Sequence, residues 1–77
     1  MVNAVILNTD MSAAEAKALL ASTREQYRLS LNDCWYADEY RYVPKEKRHS
    51  CILEKNPVMA AQKRLMAALS YSLKAVK

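Results

Sequence analysis

No glycine occurs in these 77 residues, and that absence limits the fold more than any residue present. An average chain of this length carries about five. The P-loop and the dinucleotide-binding fingerprint both need glycine where backbone approaches phosphate closely, so neither can be built here. Glycine is also the usual residue just past a helix end. Helices in this chain must therefore stop at Asn or ahead of Pro, which singles out Asn32, Asn56, Pro44 and Pro57.

Breaker-free stretches between those points read as helices. Ser12 stands three residues before Glu15, the capping-box arrangement in which each side chain satisfies a backbone N–H at a helix start. From Ala13 to Leu31 the chain is rich in Ala, Leu, Glu, Lys and Arg, which lose little entropy in a helix. At the helical period, Ala16, Leu20, Thr23, Tyr27, Leu31 and Cys34 fall within an arc of about 80°, the expected buried stripe. Lys17, Arg24 and Arg28 flank it on one side, and Glu15, Glu25 and Asp33 lie toward the other.

Pro44 suits the first position of a short helix, since its missing N–H is not needed there. Asn56-Pro57 both ends that helix and starts the next. The residue before Pro is pushed off helical angles, while Asn is a preferred N-cap and Pro is favoured just inside a helix. The last helix has three sectors. Val58, Leu65, Met66, Leu69, Leu73 and Val76 form a large apolar arc that includes Gln62; Lys63, Ser70, Lys74 and Lys77 form a polar stripe; Ala60, Ala61, Ala67, Ala68 and Ala75 fill much of the rest. A small-residue sector lets another helix approach closely, so more than one neighbour is expected. Gln62 reads as a boundary position ahead of a pairing seam.

These elements predict an all-α small helical bundle, with a long helix over 12–32, a short one over 44–55 and a long one over 57–76. The whole chain forms one domain, and residues 1–10 are flexible or a short strand. The alternative is an α+β fold. Tyr40 and Tyr42 alternate with Arg41 and Val43 as a half-buried strand does, and 2–7 can pair with 40–43 in a two-stranded ribbon packed on the helices.

A chain this short buries only about 60% of the surface exposed when it is unfolded. Twelve of its apolar residues are Ala, against sixteen Val, Ile and Leu together. Ala removes little area from water, so self-association into a homo-oligomer such as a dimer is expected.

Charge is divided along the chain. Residues 1–39 hold six acids and three bases, net −3; residues 40–77 hold two acids and nine bases, net +7; together they make the overall +4. An acidic partner belongs on the second half. There "EYRYVPKEKRH" sets Tyr40, Arg41, Tyr42, Lys45, Lys47 and Arg48 close together, with Trp35 shortly before them. Aromatic rings beside Arg are the composition of a protein-binding hot spot. Such rings are more often core than contact. The cations nearest the C-terminus are also expected from the helix dipole alone.

Cys34 and Cys51 with a single His49 between them are too few for a closed zinc site. Two buried or half-buried thiols are the first reading, ahead of a Cys34–Cys51 disulfide and of a cysteine activated by His49. With one His, no paired carboxylates at a known spacing and no nucleophile beside an evident base, neither an enzyme nor a small-molecule substrate or cofactor is implied. "MVNAVILNTD" lacks the positive charge that precedes the apolar run of a secretory signal. Lys63 and Arg64 interrupt the best candidate for a membrane span. A cytoplasmic location is the resulting expectation.

The composition leads to a non-enzymatic regulator, an inhibitor for example, that binds a larger protein through Trp35, Tyr40, Arg41, Tyr42, Lys45, Lys47 and Arg48. Small chains of this kind are often phage or mobile-element accessory factors. The runner-up is a basic helical DNA-binding regulator whose Lys45, Lys47, Arg48, Lys63 and Arg64 contact phosphate. Its resemblance to a helix-turn-helix is partial, because the turn at Asn56-Pro57 lacks both the usual glycine and the usual length. An in-plane membrane helix over 57–77 is a third reading, opposed by the Ala-rich sector and the absence of Trp and Phe there.

Overall fold

The computed structural model describes residues 4–75, and its regular structure is entirely helical: α1 (Ala13–Trp35), a 3-10 turn (Asp38–Tyr40), α2 (Lys45–Lys55) and α3 (Pro57–Ala75). No strand occurs among the described residues. No described residue takes a positive φ, in keeping with a chain that has no glycine.

The capping box forms as the sequence predicts. Glu15 N–H donates to Ser12 Oγ at 3.0 Å, and Ser12 N–H donates to Glu15 Oε1 at 2.8 Å. The Ser12 backbone N–H is the main cause that holds the Glu15 carboxyl below its ordinary range, and the Ser12 hydroxyl adds to it. Asn56 serves two helices at once. Its extended backbone ends α2, and its Oδ1 accepts from Met59 N–H at 3.1 Å to cap α3.

The predicted stripe of α1 is the face that packs inward. Ala16, Leu20 and Thr23 are buried, and Tyr27, Leu31 and Cys34 are half-buried. Around it the apolar side chains form two clusters. Ala16 and Leu20 pack on Leu69, with Leu65, Met66 and Leu73 alongside. Tyr40, Ile52 and Met59 form the other, joined by Tyr27, Leu31, Trp35 and Val43. The start of α1 thus meets the end of α3, and the end of α1 meets its start. The two long helices are antiparallel, and α2 packs across the second end.

Four expectations are corrected. The ribbon of 2–7 with 40–43 does not form among the described residues, which exclude Val2 and Asn3. Tyr40, Arg41 and Val43 N–H donate to the carbonyls of Ala37, Asp38 and Tyr40, so local turns use donors that a ladder would need. Helix α1 runs past Asn32 to Trp35, because Cys34 and Trp35 pack on the Tyr40 cluster and packing outweighs a weak stop signal. Pro44 is the N-cap of α2, with an extended ψ of 144°, and Lys45 takes the first helical position. On α3 the inward face is turned toward Met59, which is buried, while Val58 is exposed. The single-residue junction at Asn56 imposes that rotation by setting the first turn of α3 against Ile52. Val76 and Lys77 lie outside the described residues.

Helix α3 contacts both α1 and α2, with Ala60 half-buried, while Ala61, Ala67 and Ala68 of the small-residue sector are exposed. Gln62 is half-buried, and its Oε1 is enclosed without a hydrogen-bond partner. Overall the molecule is flat, 45 × 31 × 16 Å.

Candidate interaction surface

The loop between α1 and α2 is anchored by Arg48. Its Nη2 donates to Val43 O at 2.8 Å and its Nη1 to Trp35 O at 3.3 Å. Its guanidinium also lies over the Trp35 ring, 5.2 Å from the centroid. A planar fork can hold two carbonyls and stack on a ring at once, which a lysine ammonium cannot. Arg48 is therefore spent on positioning the loop, and its half-buried Nε has no partner.

Tyr40 is likewise part of the core. Burial pushes its phenol up from the ordinary range, with smaller contributions from Glu39, Cys34 and Cys51. Lys55 reaches over its ring at 5.4 Å. Trp35 is half-buried between the cluster and Arg48. Three of the seven residues singled out from sequence thus hold the loop rather than face outward freely.

The other four are exposed. Tyr42 is 88% exposed, and the Arg41 guanidinium sits 5.5 Å from its ring centroid. Lys45 begins α2 beside this loop. Lys47 is two residues further on, about 200° around the helix from Lys45. It therefore shares the outer face of α2 with Glu46, Ser50 and Glu54, all exposed.

The phosphate-contact set is dispersed in the same way. Arg48 faces the fold, and Lys63 and Arg64 line a shallow depression of about 530 Å³ together with Glu54. Helix α3 itself carries no acid, and its Lys63, Arg64 and Lys74 are exposed. The only ion pair among the described residues is Arg28–Glu25 on α1, at 2.6 Å, so no described cation after residue 40 is neutralised by one. That pair lowers the Glu25 carboxyl through the Arg28 hydrogen bond.

His49 does not meet a cysteine. Its Nε2 shares a 2.5 Å hydrogen bond with Tyr27 Oη, and burial raises the Tyr27 phenol above its ordinary value. Cys34 and Cys51 are free and half-buried. No group of three or more His, Cys, Asp or Glu among the described residues is placed to hold a metal ion. No described helix is long and apolar enough to cross a membrane.

Sequence reading missed two features. Lys55 lies over the Tyr40 ring, a meeting of distant positions that only the tertiary structure reveals. Val5, Ile6 and Leu7 are exposed beside a groove on α3. The signal for the second was present, an unbroken apolar run ahead of a helix cap. No protein-family model matches this chain, and no curated protein or solved structure shows significant similarity to it.

Proposed function

We propose that this protein is a small non-enzymatic regulator that binds a larger protein through Arg41, Tyr42 and Lys45, with Lys47 at the margin. The observation that carries this reading is the Tyr42 ring, 88% exposed beside Arg41 on a loop tied down by Arg48. A large ring held in water by a fixed support is suited to enter a pocket, because little ordering remains to be done on binding. The unpaired cations around it favour an acidic rim on the partner. The free, half-buried thiols suit a reducing cytoplasm.

The nucleic-acid reading has weaker support. The acid-free α3 favours it, but Glu54 sits among its cations and Arg48 is engaged in the fold. Tyr42→Ala and Arg41→Glu test the first reading, since neither residue supports the core. Each variant should lose, by about tenfold or more, the partner captured by the wild-type chain. Equal capture by both variants rejects this surface. Retention on nonspecific duplex at about 50 mM salt, falling steeply as salt rises, would favour the nucleic-acid reading instead.

A further inference from the structure

The chain exposes 6505 Å² of accessible surface. A compact monomer of its 8.8 kDa exposes about 4,800 Å², so roughly 1,700 Å² is in excess. Part of that excess is apolar and concentrated in one place. Val5, Ile6 and Leu7 are 85%, 88% and 78% exposed. Val5 and Leu7 form one wall of a groove of about 700 Å³ whose other wall includes Leu65, Leu69 and Leu73 of α3. The segment borders the groove without filling it.

We propose that a second copy of this chain covers this groove about a two-fold axis, bringing its own Val5-Ile6-Leu7 onto α3. A standard interface removes about 800 Å² from each partner, which the excess surface can supply. Ala61 and Ala68 on the groove wall leave room for close approach of another backbone. Charge is self-complementary as well. Asp10 and Arg64 both line the groove, and neither forms an ion pair among the described residues. Two-fold symmetry makes every contact occur twice, so a pairing of Asp10 in one copy with Arg64 in the other would form at both ends of the interface. The apolar segment and the surface it needs are thus supplied by the same sequence, whereas an unrelated partner would have to match both.

Sedimentation equilibrium of the 77-residue chain tests the pairing. The expected species is twice 8.8 kDa. Ile6→Asp should weaken association about 100-fold while far-UV circular dichroism stays unchanged, because Ile6 is exposed. Asp10→Arg and Arg64→Asp should each weaken it about tenfold, and the double exchange should restore it to within about threefold. A monomer up to about 500 µM, a species other than a dimer, or a dimer indifferent to Ile6→Asp would each overturn the proposal. So would a double exchange no better than the singles. None of these variants touches Tyr42 or Arg41, so the regulator surface is tested separately.

Discussion

The two ends of the bundle differ in how many walls they have. Around Ile52, which is fully enclosed, side chains arrive from α1, the 3-10 turn, α2 and α3, and Arg48 and Lys55 lie over the aromatic rings at the rim. At the other end Ala16 and Leu20 meet Leu69 from α3 alone, and an open groove runs alongside. Two antiparallel helices make a seam, and a seam becomes an enclosed core only when a third element crosses it. In an Ala-rich chain the seam is also shallow. The end without a third element is where association with another molecule gains most.

Substitutions can break or sharpen this contrast. Ile52→Ala should cost about 2–5 kcal/mol, because the cavity it leaves is closed on every side. Against a total stability of about 4–12 kcal/mol for a chain this long, that leaves a marginal fold. Leu20→Ala should fall near the lower limit, about 2 kcal/mol, since it packs on Leu69 at the end where only α1 and α3 meet and the site can relax. Urea unfolding followed by circular dichroism compares the two, and equal losses would remove the distinction between the ends.

A smaller effect is expected at the rim of the enclosed end. Arg48→Met should cost about 1–3 kcal/mol by leaving the Trp35 and Val43 carbonyls without their donor. Arg48→Lys should recover only part of this, because one ammonium cannot serve both carbonyls in fork geometry. Unfolding monitored by Trp35 fluorescence reads the outcome directly, and a lysine variant as stable as wild type would mean that the fork is dispensable.

The smallest effect belongs to the open end. Ser12→Ala should cost about 1 kcal/mol by removing the cap of α1. The other half of the box carries a pH signature. The Glu15 carboxyl lies below its ordinary 4.5 in the folded chain, so its contribution is present above that value and lost as pH falls through the lowered one. Glu15→Gln should therefore be less stable than wild type at neutral pH, and the two should converge in acid. A difference that persists unchanged at the lowest pH would separate it from the charge of Glu15.

Much of the fold was legible because its signals are local. Ser12 and Glu15 cap a helix through bonds three residues apart, and Asn56-Pro57 ends one helix and starts another by backbone sterics. The α1 stripe was legible for the same reason, since one helical period places all six residues on one side. The helical period put Val58 in the apolar arc of α3, yet its neighbour Met59 is the one buried. The junction with α2 made the choice. The candidate surface was legible in composition alone. Tyr40, Arg41 and Tyr42 are consecutive, yet one is core and two are exposed, because a 3-10 turn turns the first inward.

The sequence by itself determined that this chain is helical and where its capping box lies, and it made left-handed backbone uncommon. Those properties depend on bonds and clashes within about four residues. Only the tertiary structure decided that Arg48 supports a loop instead of facing a partner, and that one end of the bundle is closed while the other is open. Those outcomes depend on which distant side chains meet, and the crossing of α2 over one end alone sets that.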